Sequence, residues 1–492
     1  MRLIKDYIRI ILLFVLAIYG NVFSQAQSFR DEYQQFNKRV TANYSDFRNE
    51  CNRKYVEFLR QAWSWYEGNA PLPLPKEENP VPPRPYKDDE QEEPHIEIIP
   101  VNVEPEEDEI PQPKPVEPIR EVPTPQDDSF SIDFYGVTCN VRMPESSRLK
   151  LPECSNKSIA DAWQRLSSDD MNNAIRDCLE TRIRYNLCDW AYLLFLDELC
   201  RKFCPDANGA TLIMAYIYCQ SGYQMRLAKS GARLFMLYGS RHQIYDISYY
   251  KIDGKMFYPF GKTSGGGIEI CDAGFAGETP MSLLINSEQV FGGHMSELRD
   301  IQSRRYTDMT ISSQVPESAI SFFDRYPSSA IDGNPLTKWM MYANTPLAEK
   351  TKETIYPSLK QSIDGCQEEL AVNKLLNWVQ TGFEYEYDDK VWGYDRAFFA
   401  EETLYYPYCD CEDRSILFSR LVRDLVGLDV ALVYYPGHLA TAVAFNDDVK
   451  GDAMNINGRR YIICDPTYIG APVGKQMPDL DVSNARAITL KQ

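Results

Sequence analysis

The sequence predicts an α+β chain in which one helix-plus-hairpin unit occurs twice, behind a long helix and a Pro/acidic linker. Three observations carry this. First, residues 207–228 (ANGATLIMAYIYCQSGYQMRLA) superpose on 412–433 (EDRSILFSRLVRDLVGLDVALV), Gly222 on Gly427, so that Leu212, Ile213, Tyr216 and Ile217 match Leu417, Phe418, Leu421 and Val422 on one helical face. Second, each helix ends at a glycine and enters a strand, at 225–228 and 430–433. Third, a strand beginning at His242 is set against one beginning at His438, and each leads to a hairpin-closing dipeptide, Asp253-Gly254 or Asn457-Gly458.

The elements follow in chain order. Arg2, Lys5 and Arg9 surround an apolar run over residues 10–19, followed by Val22-Phe23-Ser24, so residues 1–24 read as a secretory signal. A retained anchor is the alternative, although the run is short for a membrane span. Once the signal is removed, no transmembrane segment is expected, and the location is the periplasm or the extracellular space. Residues 26–68 read as a long amphipathic helix. From Phe29 to Phe58 its apolar positions repeat with an eleven-residue period, a single stripe that fits either the protein's own body or a partner helix on residues 29–58. Residues 69–128 alternate proline with acidic runs, an extended semi-rigid spacer that also holds His95. A first module spans 129–290, a strand-rich connecting region 291–350, and a second module 351–492.

Of 492 residues, 44% are hydrophobic, enough for two or three cores. The 71 acidic against 52 basic residues give a net charge of −19, which argues against a nucleic-acid partner. Thirteen cysteines allow disulfides in an oxidising compartment, and the odd count leaves at least one thiol over.

The stretch YYPYCDCEDRSILF places Cys409 and Cys411 just ahead of the second helix. In the register above Cys204 falls on Cys409 and Asp206 on Cys411, so Cys411 belongs to the second copy alone. Downstream stand His438 at a strand start and Asp465 in YIICDPTY. A thiol needs a base to become a nucleophile near neutral pH, and the imidazole needs a carboxylate on its other nitrogen. A helix N-terminus adds N–H groups for an oxyanion, while Asp410, Glu412 and Asp413 oppose thiolate formation and Arg414 can offset one of them. Taken singly, each residue has a plainer reading: a buried or bridged cysteine, a capped strand end, a turn aspartate. In this order and on these elements they point to catalysis.

CEDRSILFSRLVRDLVGLDVALV, PGHLATAVAF and GRRYIICDPTY together resemble the transglutaminase-like superfamily core, over about residues 355–475. The resemblance implies a papain-like Cys-His-Asp fold in two modules, as in a secreted bacterial protein. It makes Cys411 the nucleophile, His438 the general base and acid, and Asp465 the orienter of His438. Leu439 stands where the family often has an aromatic. The first module then resembles a degenerate copy: Asp206 at the thiol position, and the Asp465 equivalent near Gly261, leaving His242 without partners. Cys204 with a shifted register is the rival assignment there, and His294 reads as structural. No calcium-site motif is visible, so neither metal nor cofactor is expected.

Two functions follow. One is an exported cysteine acyl-transfer enzyme acting on peptide or side-chain amides of a peptide or protein substrate through a Cys411 thioester. Hydrolysis is preferred to crosslinking, since no amine pocket is visible. The other is a non-catalytic binding or scaffold protein of the cell envelope using the same fold.

Overall fold

A computed structural model describes residues 44–76, 80–87, 95–98, 101–103, 119, 121–122, 129–261, 266–275 and 277–491. The expected signal segment and the first part of the expected long helix lie outside these residues. The chain is a mixed α+β protein. Among the described residues, no helix is long and apolar enough to cross a membrane.

The elements that position the site are, in chain order, α1 (Tyr44–Arg60), β1 (Ser64–Tyr66), β2 (Glu97–Ile98), β3 (Val101–Val103), α2 (Ala207–Gln220), β4 (Met225–Ser230), β5 (Arg233–Gly239), β6 (Tyr250–Ile252), β7 (Lys255–Pro259), β8 (Ile268–Cys271), α3 (Glu368–Gly382), α4 (Cys411–Leu425), β9 (Asp429–Tyr435), β10 (His438–Ala444), β11 (Ala453–Ile456), β12 (Arg459–Cys464) and β13 (Arg486–Thr489). One sheet runs β1-β8-β4-β5-β7-β6. The other runs β2-β11-β12-β10-β9-β13-β3. Without the strands from the N-terminal region, each is a five-stranded antiparallel sheet with the same order of strands after its helix: β8-β4-β5-β7-β6 in one, β13-β9-β10-β12-β11 in the other.

Local chemistry explains the matching hairpins. Asp253-Gly254 and Asn457-Gly458 both have positive φ at both positions, 49° and 77° in one, 52° and 82° in the other. That is the turn whose twist suits two antiparallel strands. Each helix leaves through a left-handed glycine, Gly222 (φ 95°) or Gly427 (φ 76°).

The pairing corrects one part of the sequence register. His438 stands opposite Tyr435 across a two-residue turn and opens β10. At the same place in the first sheet, Arg233 stands opposite Ser230. His242 comes after β5, in a short strand paired with Ser329–Ile331. The offset that sets Gly222 on Gly427 already sets Arg233 on His438; matching histidine to histidine added a nine-residue shift that the two-residue hairpin turns do not allow. The far side of the register agrees with Gly261: Thr441 faces Cys464, while Met236 bonds to Phe260, so Asp465 corresponds to Gly261.

The second sheet is curled. Ile98 pairs with β11 at one edge and Val101 begins the pairing with β13 at the other. Three peptide units reach at most about 11 Å, so the two edges close around this segment. Period-two alternation then separates the faces: Val433, Tyr435, Ala440, Ala442, Ile463 and Ala487 fill the inside. Leu432, Leu439, Val443 and Ile488 join the main core with Leu417, Phe418 and Leu421 of α4.

The described parts of the Pro/acidic region are extended but are not a free spacer. Arg84–Pro85 pairs with Tyr468–Ile469, and the β2 and β3 segments edge the second sheet. His95 keeps a half-exposed ring 3.8 Å from Asp452. The helix expectation also needs correcting: α1 stops at Arg60, and Phe58 is exposed, whereas Arg48, Asn52, Tyr55, Val56 and Leu59 are buried. Its buried face carries polar groups bonded to the first unit, Arg48 to Tyr216 at 2.9 Å and Asn52 to Trp163 at 3.1 Å. Over this span the buried face packs on the protein's own body. His294 is exposed in an irregular segment.

Candidate active site

Two of the three expected residues are joined directly. His438 and Asp465 lie on the inner face at one end of the curled sheet, and His438 Nε2 is 2.9 Å from Asp465 Oδ2, both side chains fully buried. The carboxylate is itself held: its Oδ1 accepts from the Thr467 and Tyr468 amides at 2.8 and 3.2 Å. Gln380 of α3 clamps the loop, its amide donating to the carbonyls of Asp465, Tyr468 and Ala471 at 3.0, 2.9 and 3.1 Å and accepting from Gly470 N–H at 3.1 Å. His438 Nδ1 is buried with no hydrogen-bond partner among the described residues.

Cys411 is the first residue of α4. It lines the same cavity as His438. Leu439 is buried in the main core rather than forming an aromatic wall, and its carbonyl accepts from Ser415 at 2.9 Å, tying β10 to α4. The thiol itself donates to Glu412 Oε2 at 3.2 Å. Burial, then the Glu412 and Asp410 carboxylates, push it well above the ordinary thiol range.

Cys409 is sealed instead, its sulfur 3.4 Å from Arg414 Nε. The other Arg414 nitrogens reach the carbonyls of Gln380 and Phe383 at 3.2 and 2.9 Å. The guanidinium that the sequence offered as an offset for a carboxylate is thus spent on carbonyls and a thiol. All thirteen cysteines are unpaired, which excludes both a Cys409–Cys411 and a Cys411–Cys464 bridge in this structure. In the first unit, Asp206 caps α2 through Gly209 N–H at 2.7 Å, and Cys204 is buried against the Leu149 carbonyl at 3.2 Å. His242 Nε2 meets only Ser282 Oγ, at 3.4 Å, and burial with Arg241 beside it pulls its pKa down to about 3.

The cavity has a volume of about 910 Å³. Trp339, Tyr385, Tyr387 and Tyr434 line it together with Asp388, Asp389, Asp395, Asp410 and Glu412. Burial and then Glu412 raise Asp388 to about 8. Asp410 and Asp413 are pushed well above the carboxylate range by burial and their acidic neighbours. Oxygens of Asp388, Asp395 and Glu412 lie within 4.8 Å of one another, as do the ligand atoms of Asp410, Cys411 and Glu412; these are the groups able to hold a cation.

Sequence reasoning named Asp410, Glu412 and Asp413 but missed Gln380 and the Asp388, Asp389 and Asp395 side of the acidic wall. Gln380 sits in NWVQTG with no local signal, and Asp388 and Asp395 meet Glu412 only through the fold. No protein-family model, curated protein or solved structure matches this chain.

Proposed function

We propose that the chain is an exported cysteine acyl-transfer enzyme of transglutaminase-like, papain-like kind, with an active second module and a degenerate first one. The observation that carries the reading is the buried 2.9 Å His438–Asp465 pair, whose histidine lines one cavity with Cys411. The identical strand orders support the two-module part, as do Arg233 and Gly261 at the places of His438 and Asp465.

In this reading the thiol turns from Glu412 toward His438 and gives its proton to Nδ1. Asp465 stabilises the imidazolium and holds the ring. The sulfur electron pair forms the bond to an amide carbon, and the carbonyl π pair moves to oxygen, near the first-turn amides of α4, which have no intrahelical partner. Collapse expels the amine, which takes the proton from imidazolium. Water, deprotonated by His438, then attacks the thioester, and the thiol is restored.

The alternative, a non-catalytic binding or scaffold protein, has one observation in its favour: the thiol faces Glu412 with its ionisation suppressed. Incubation with a diverse peptide library, read by mass spectrometry, separates the two. Cleaved or deamidated peptides with wild type and none with Cys411→Ala support the enzyme; identical spectra refute it.

A further inference from the structure

We infer that the cavity beside Cys411 recognises an organic cation, a lysine- or arginine-like side chain of a peptide flanking the attacked amide. The inference deepens the enzyme reading above by naming a substrate class, and it rests on that reading only for its relation to catalysis.

Charge comes first. Asp388, Asp395, Asp410 and Glu412 face the cavity, and three of these four bring oxygens within 4.8 Å of one another. The cations on its lining are fewer: Lys338 is 3.7 Å from Asp395, Lys390 is engaged by Glu386 at 2.8 Å, and Lys76 is exposed. The second observation is independent of the clustering. Asp410 is nine-tenths buried, lines this cavity and has an Oδ1 with no hydrogen-bond partner among the described residues. A buried carboxylate oxygen left unmatched is unfavourable, so an acceptor kept there is poised for a donor from outside.

The walls select the kind of cation. Trp339 stacks on Tyr434 with centroids 5.7 Å apart, and Tyr385 lies across the cavity lining. Aromatic faces attract ammonium and guanidinium groups and cover their aliphatic stems, a service that a hydrated metal ion does not use. The fold already seats one such group here: Lys338 Nζ stands between Asp395 and the Trp339 ring, 5.8 Å from the ring centroid. An ammonium held among carboxylates keeps its proton and has no lone pair. It therefore serves recognition rather than attack on the thioester, and hydrolysis remains the outcome.

The test uses the full chain carrying Cys411→Ala, which cannot turn substrate over, and fluorescein-tagged, capped Gly-Ser hexapeptides with one central residue varied. Lys, Arg and trimethyl-lysine peptides are expected to bind at least tenfold more tightly than acetyl-lysine or Glu peptides. Rising salt should erase the difference. Asp388→Asn combined with Glu412→Gln should remove the preference. The acetyl-lysine comparison needs no second substitution and stands even if that variant misfolds. Equal affinity for all peptides overturns the inference, as does loss of Lys binding with 1 mM calcium or magnesium at constant ionic strength, which would assign the carboxylates to a metal ion. Cation preference without any Cys411-dependent turnover would keep this inference and remove the enzyme reading; turnover without cation preference would do the reverse.

Discussion

The two helix-and-sheet units share a strand order but treat their buried histidines differently. His438 opens β10 with a carboxylate 2.9 Å away, whereas His242 stands just past β5 with a serine hydroxyl at 3.4 Å and an arginine next in sequence. Both rings are buried, at 2% and 3% exposure. Burial alone makes an imidazole a poor base by penalising its charged form, as at His242; His438 has a carboxylate facing it. A common frame thus yields a chemical site only where the chain puts aspartate after β12 and cysteine at the head of α4. In the first unit those places hold Gly261 and the capped start of α2.

The largest expected effect breaks the comparison outright. Cys411→Ala and His438→Ala should each lower Cys411-dependent turnover by at least about a thousandfold, as removal of a nucleophile or its base does, with melting temperature within a few degrees for the cysteine variant. His242→Ala should leave turnover unchanged; if it abolishes turnover in a folded protein, the contrast between the units is lost.

Next comes the support of the pair. Asp465→Ala strands His438 and the Thr467 and Tyr468 amides, and Gln380→Leu strands three carbonyls and one N–H. Each should cost about 2–4 kcal/mol in urea unfolding. Asp465→Asn should fold better than Asp465→Ala yet lose most turnover, since an amide cannot stabilise imidazolium.

The pH response sharpens the comparison further. His242 binds a proton near 6.5 when unfolded but only at about 3 when folded. Between these values the unfolded chain carries the extra proton, so this residue's contribution is intact above pH 6.5 and is lost as pH falls toward 3. The loss is roughly 4–5 kcal/mol at its limit. His242→Gln should make the acid limb of a stability–pH curve shallower by a comparable amount; an unchanged limb would contradict the buried neutral imidazole. The smallest effect is expected from Cys409→Ser, which should keep most turnover, because that sulfur faces Arg414 and not the cavity.

What the sequence made legible was whatever is encoded locally. Asp253-Gly254 and Asn457-Gly458 declare their turns, the glycines end the helices, and Cys411, His438 and Asp465 stand at element starts or ends. The register that sets Arg233 against His438 was present in the glycine superposition and was overridden by matching histidine to histidine. Non-local pairing was not legible. Gln380 reaches a loop about 90 residues away. The stripe read through Phe58 missed the true buried face of α1, because Arg48 and Asn52 are polar and become buried only through partners in the first unit. The Pro/acidic region was read from composition, which reports extension and cannot report which sheet edge an extended segment meets.

The central claim, that Cys411 and His438 act as one unit despite the acidic wall, is tested most directly by the alkylation rate of Cys411 with iodoacetamide at pH 6, measured by peptide mass mapping in wild type and in His438→Ala. The account predicts labelling faster than a free cysteine peptide in wild type and at least tenfold slower in the variant. A wild-type rate no faster than the peptide and unaffected by the substitution would contradict it.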